Sequence, residues 1–253
     1  GSALAERLRD RVQRLRLTVR STGSRDALRA EGFDAHAVDL EDREGMIAVL
    51  DGATHVVFSA AAGRGGDYDA VYDRGTAHLV DTTDARLVYT SSTGVYAAQD
   101  GSWVDEESEL VPREGRGAAL RAGEDHVRGA GGVVMRLSGL VGRDRGPHRR
   151  LSSLAGSERD DGDAWLNLAP LPTVLDALEA ALVSDVEGVF NVSAAEPMRR
   201  RDFYDAVIAR AGAERLRWLP TPGDAPRGRR VRVDRLRDEL GVTPRALDLD
   251  ELF

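Results

Sequence analysis

The chain contains no cysteine and no lysine. The first absence excludes disulfides, thiolate nucleophiles and cysteine-ligated zinc. The second excludes Schiff-base chemistry and any mechanism in which a buried amine tunes a neighbour's pKa. All 35 basic residues are arginine, which stays protonated at any working pH. Histidine is sparse. His36, His55, His78, His126 and His148 show neither an i,i+4 pair nor a His-Glu-x-x-His spacing, so no metal site is expected. No apolar run approaches the roughly 20 residues a membrane span needs. The opening GSALAERLRD lacks the cationic head and apolar middle of a secretory signal. A cytoplasmic location without a membrane partner is the expectation, and the formal net charge of −8 argues against a general nucleic-acid binder.

What is present is an alternation of short apolar strands and longer helices. Helical spacing covers 3–14, 24–31, a segment through Met46 and Leu50, 67–82 and 116–128, while 15–19, 35–38, 55–58, 86–90 and 133–137 read as strands. The segment between Asp100 and Gly115 reads as turns. Such alternation predicts an α/β fold with a parallel sheet covered on both faces. Beyond Gly142 the pattern loosens into a smaller lobe, and acidic stretches such as DEES at 105–108 and ERDDGD at 158–163 read as solvated loop. A helix at 173–183, a strand at 188–192 and a helix at 200–211 then restore the alternation. The expected division is a domain over 1–142 and a substrate lobe over 143–253, with 172–211 returning a helix and a strand to the main sheet. A strand at 215–219, a Pro/Gly loop and a short helix at 233–240 complete the tail.

One stretch stands out within this pattern. In VYTSSTGVY, residues 88–96, an apolar climb ends in four hydroxyl residues and a glycine. This is how a buried strand looks when its carboxyl end opens into a site. Ser92 is the candidate for chemistry there; alternatively its hydroxyl serves the backbone groups at the strand end.

Five blocks, HVVFSAA (55–61), YDRGTAHLVD (72–81), LVYTSSTGVY (87–96), VVMRLSGLVG (133–142) and GVFNVSAAEPMRRRDFY (188–204), give the chain a family likeness. In order and spacing it resembles the extended short-chain dehydrogenase/reductase superfamily, the NAD-dependent epimerase/dehydratase group. It is most similar to an atypical branch, whose ending looks like GRRVRVDRLRDELG at 228–241. The resemblance implies a Rossmann-like doubly wound sheet with a small C-terminal substrate lobe. It implies that Ser92 polarises a substrate carbonyl or hydroxyl. The family's proton-handling Tyr-x-x-x-Lys helix is replaced, with Arg116 at the Tyr position and Leu120 at the Lys position. Arg116 could then act as an electrostatic stabiliser of an oxyanion.

At the front, Gly1 resembles the last glycine of the family's Gly-x-x-Gly-x-x-Gly turn; the first strand and the first two glycines are not in the chain, and a truncation is the expected reason. The strands at 15–19 and 55–58 should then face a gap of one strand, about 5 Å on either side. The remaining implied cofactor contacts are Arg20 and Ser21 after the second family strand, Asp39 and Leu40 beside the adenine, the small residues Ser59, Ala60 and Ala61, and Leu140. Arg20 in place of an acidic residue suits a 2′-phosphate, so NADP is expected rather than NAD. With its phosphate cradle reduced to Gly1, the chain as it stands is expected to show no appreciable dinucleotide binding. Three readings stay open: an NAD(P)-dependent epimerase, dehydratase or reductase for a small carbonyl or sugar-nucleotide-like substrate; a non-catalytic NAD(P)-binding sensor or regulatory protein; and an inactive fragment. The expected partner is a small molecule, and a homodimer is left open.

Overall fold

The computed structural model describes residues 1–63, 65–111, 114–150, 154–220 and 227–252. Two units are distinct, Gly1–Thr90 with Arg113–Val134, and Ser91–Pro112 with Met135–Phe253.

In the first unit, α1 (Ser2–Leu8), β1 (Arg16–Val19), α2 (Thr22–Ala30), β2 (Asp34–Ala37), α3 (Arg43–Leu50) and β3 (His55–Phe58) follow one another. β1 and β2 pair in parallel from Arg16↔Asp34 to Val19↔Ala37. β3 pairs in parallel with β4 (Arg86–Ser92), from His55↔Arg86 to Phe58↔Tyr89. The other edge of β4 faces β6 (Val133–Leu137). Among the described residues the β1–β2 ladder and the β3–β4 ladder belong to separate sheets, so the sheet is broken where the sequence leads one to expect a gap.

Local chemistry sets the helix ends. The Ser21 hydroxyl accepts the Ser24 N–H at 3.2 Å to open α2, and Asp42 accepts the Gly45 N–H at 3.0 Å to open α3. Each cap contributes about 1 kcal/mol. The helix expected over 3–14 stops at Leu8. Past that point its apolar face is lost, with Val12 40% exposed, and Arg9 turns to the Phe33 ring at 3.9 Å.

The segment expected as one helix over 67–82 is a π-helical stretch, Asp69–Arg74, running into α4 (Gly75–Thr82). At the junction the Tyr72 carbonyl, which in an α-helix goes to the Thr76 N–H alone, accepts the Thr76 hydroxyl at 2.6 Å. The same carbonyl faces α5 (Gly115–Gly129) so closely that a Cβ at Gly123 would stand 2.4 Å from it. Widened π turns are found where such contacts interrupt the regular ladder.

The second unit contains pairings that the sequence hides. The turn-rich segment holds β5 (Asp100–Val104), which pairs in parallel with β14 (Gly228–Val231). Between them in the chain lie β7 (Gly139–Val141), β8 (Glu158–Arg159), β9 (Trp165–Leu166), β10 (Leu168–Pro170), β11 (Gly188–Val192), β12 (Met198–Arg199) and β13 (Arg217–Trp218). β7 pairs with β10, β8 with β13, β9 antiparallel with β12, and β11 lies beside β6. Helices described in this unit include α6 (Leu171–Val183), α7 (Arg200–Ala211) and the short α8 (Asp234–Asp238). One core gathers Val141, Leu168, Phe203, Val207 and Leu252, and a second Tyr96, Val104 and Val231.

Asp161 of the acidic 158–163 stretch is no solvated loop residue. Arg159 grips it at 2.9 and 2.7 Å and Arg200 at 2.6 Å, which hold its carboxyl below the usual range. Among the described residues, no helix is long and apolar enough to cross a membrane.

Candidate functional site

In a parallel sheet, ligands bind outside the carboxyl ends of the strands. Most of the residues expected to contact a dinucleotide occupy that position in the first unit. Gly1 is the N-cap of α1 and supplies no side chain to cap it. A Cβ on Gly1 would lie 3.6 Å from the Ser59 hydroxyl, so the start of α1 sits against the segment leaving β3. Ser59 and Ala61 are exposed and Ala60 is half-buried. Arg20 follows β1 and is exposed, while Ser21 is engaged as the cap of α2. Asp39 follows β2, where its carboxylate accepts the Glu41 N–H at 3.0 Å. Leu40 packs toward Gly75, and its carbonyl is bonded to His78 Nδ1 at 3.1 Å. The chemistry of these groups fits the adenosine side of a dinucleotide. Leu140 is in the second unit, where β7 pairs it with Ala169.

Ser92 ends β4 and caps a 3₁₀ turn, Thr93–Val95. Its Oγ accepts the Gly94 N–H at 3.0 Å, which uses one lone pair and leaves the hydroxyl proton to donate. Arg116 lies in the first turn of α5, in the first unit, and its side chain is outside the described residues. Leu120, at the position where the resembled family has lysine, is buried.

The tyrosine four residues after Ser92 does not supply the proton. Tyr96 has no exposed surface. Its hydroxyl donates to Asn191 Oδ1 at 2.6 Å and accepts from Arg136 Nη1 at 3.1 Å. Burial pushes its pKa up to about 12, against the opposing pull of Arg136.

Glu106 joins this buried network through both its carbonyl and its carboxylate. Arg136 also donates to the Glu106 carbonyl at 3.0 Å, and the Glu106 carboxylate accepts the Asn191 N–H at 2.7 Å. Burial raises the Glu106 pKa. None of Arg136, Glu106 and Asn191 was singled out from the sequence. Their only signal is a polar letter within an otherwise apolar strand, VVMRL and GVFNV, or within a turn-rich stretch.

A cationic face accompanies them in the second unit. Arg199 lies 3.7 Å over the Trp165 ring, and Arg230 lies 5.1 Å from that ring and 4.9 Å from Trp103. Among the described residues neither arginine has a carboxylate partner. Arg199 donates to the Asp163 carbonyl and Arg230 to the Gly101 carbonyl.

A family model described as NAD(P)H-binding matches residues 1–132. The sequence matches none of the curated proteins. Among solved structures, a functionally unknown conserved protein from Silicibacter pomeroyi is similar at 26% identity and a TM-score of 0.76, over 98% of this chain and 90% of that one. The Bordetella bronchiseptica enzyme WbmG, in complex with NAD, is similar at 22% identity and a TM-score of 0.80, over 99% of this chain and 87% of that one. UDP-glucuronic acid 4-epimerase from Bacillus cereus, also in complex with NAD, is similar at 16% identity and a TM-score of 0.80, over 99% and 92%. The fold is therefore the Rossmann-like fold of NAD-binding epimerases.

Proposed function

The chain belongs to the NAD(P)H-binding family, and on that premise we propose that it is an NAD(P)-dependent enzyme of the epimerase, dehydratase or reductase type, acting on a small carbonyl or sugar-nucleotide-like substrate. One observation carries this reading: Ser92 ends a central strand with its acceptor face satisfied by Gly94 and its proton available. Such a hydroxyl polarises a substrate oxygen by donating a hydrogen bond where negative charge grows. Arg116 is the residue that the family likeness offers as stabiliser of such an oxyanion. A nicotinamide held there would supply the hydride transfer.

The remaining groups bind. In the first unit Asp39 and Leu40 would hold the adenine, Ser59, Ala60 and Ala61 would leave room for the dinucleotide at the strand end, and Gly1 would let it approach the start of α1; Leu140 is the candidate contact in the second unit. Arg20 pairs with a 2′-phosphate, which favours NADP over NAD. Arg199 and Arg230, without carboxylate partners, favour an anionic, nucleotide-like substrate.

Calorimetric titration with NADP and NAD tests the cofactor assignment. A charge-assisted phosphate contact contributes about 1.5–3 kcal/mol. Arg20→Ala should therefore weaken NADP roughly 10- to 150-fold and leave NAD unchanged. Equal losses for both would make Arg20 structural. No binding of either dinucleotide by the unmutated chain would overturn the cofactor assignment.

A second reading, a non-catalytic NAD(P)-binding regulatory protein, is favoured by the proton chemistry. Tyr96 is locked in the core, Leu120 replaces the lysine, and no lysine exists in the chain. Turnover of the nicotinamide separates the two readings.

A further inference from the structure

We propose that Arg229 is the positioning residue of the Ser92 turn, fixing the direction in which the Ser92 hydroxyl donates; this rests on the reading of Ser92 as the polarising group. The Nη1 of Arg229 donates to the carbonyls of both Thr93 and Tyr96, each at 2.7 Å. Those two carbonyls bracket the turn that begins at Ser92, and the Tyr96 N–H closes it onto the Thr93 carbonyl at 3.3 Å. A single guanidinium nitrogen therefore holds both ends of the turn.

Arg229 is itself aimed. The β14–β5 ladder shifts register between Gly228 and Arg230. Irregularities of this kind turn a side chain out of the regular alternation. Gly228 has φ +79°, and a Cβ there would stand 2.9 Å from the Trp165 carbonyl, so the approach depends on glycine. Asn167 clamps the other side, with its Nδ2 donating to the Arg229 carbonyl at 2.8 Å and its Oδ1 accepting the Val231 N–H at 3.0 Å.

The electrostatics exclude an ordinary ion pair. Among the described residues Arg229 has no carboxylate partner, and burial lowers its pKa. A half-buried guanidinium spent on two backbone carbonyls is costly as a stabilising device, because a desolvated cation gains less from neutral acceptors than from an acid. Geometry at the turn is what it supplies.

The test is a double-mutant cycle on nicotinamide turnover with a sugar nucleotide. Arg229→Met keeps an unbranched apolar stem and removes the donors; it should lower kcat by about 10- to 100-fold with KM within about twofold, the scale of a misplaced catalytic group. Arg229→Lys keeps a cationic donor on a side chain one bond shorter and should recover to within about tenfold of the unmutated rate. In a Ser92→Ala background Arg229→Met should add less than about twofold, since it acts through Ser92. Additive losses, or a loss confined to KM, would overturn the proposal.

If the unmutated protein turns nothing over, the Ser92 reading fails by itself, and the crystal structure of Arg229→Met still decides. Displaced Thr93 and Tyr96 carbonyls with a broken Ser92–Gly94 bond support positioning. An unmoved turn refutes it.

Discussion

Replacing Tyr96 by phenylalanine removes one oxygen from the centre of the second unit and leaves the ring in place. Asn191 Oδ1 then loses its 2.6 Å donor, while Arg136 Nη1 keeps the Glu106 carbonyl at 3.0 Å. One buried acceptor is orphaned, because Asn191 has no exposed surface. Leaving such a group unsatisfied costs about 1–3 kcal/mol. The three tryptophans, Trp103, Trp165 and Trp218, all lie in the second unit, so urea unfolding followed by their fluorescence reports the right region. A loss below about 0.5 kcal/mol, the range of neutral surface changes, would mean that the network does not hold this unit together. Turnover supplies a second check. A hydroxyl already donating to Asn191, with its pKa raised to about 12, is no proton donor to substrate, so Tyr96→Phe should change kcat by less than about twofold. A fall of a hundredfold would restore Tyr96 as the acid and refute the reasoning.

Burial raises the folded pKa of Glu106 above the ordinary 4.5, so wild-type stability relative to Glu106→Gln should be greatest below that value and decline as pH rises through the folded pKa. The size is about 1.4 kcal/mol for each unit of upward shift, and a pH-independent difference between the two proteins would show that Glu106 is not desolvated. Gly123→Ala sets two effects against each other. Better helix propensity gains about 1 kcal/mol, but the new Cβ meets the Tyr72 carbonyl at 2.4 Å, and overpacking costs about 1–3 kcal/mol. The variant should be less stable in thermal unfolding; a gain in Tm would mean that α5 can draw back from the π-helical stretch.

The parallel core was legible because its strands are apolar runs, such as VVMRL and HVVF, whose burial on both faces leaves little alternative. The β5–β14 pair was not. Its strands, DGSWV and GRRV, carry glycine and arginine, and the arginines Arg230 and Arg232 lay their guanidinium groups over the Trp103 ring. The π-helical stretch has the same apolar periodicity as an α-helix and depends on a helix that arrives about fifty residues later.

At the site, hydroxyls after a strand pointed to Ser92, and small residues after another pointed to Ser59–Ala61. Arg229 was hidden among the arginines of the tail, because backbone carbonyls, its acceptors among the described residues, leave no mark in a sequence. Asn191 could have been noticed, since the chain has only two asparagines and one of them interrupts an apolar strand.

The most direct test of the account measures nicotinamide absorbance with sugar nucleotides as substrates, comparing the unmutated protein with Ser92→Ala at saturating cofactor. The account predicts turnover by the first and a fall in kcat of about 10²- to 10³-fold in the second, the loss of one oxyanion-directed donor, with a stability loss of about 1 kcal/mol from the missing Gly94 bond. Equal rates, or a bound nicotinamide that neither protein oxidises or reduces, would contradict it.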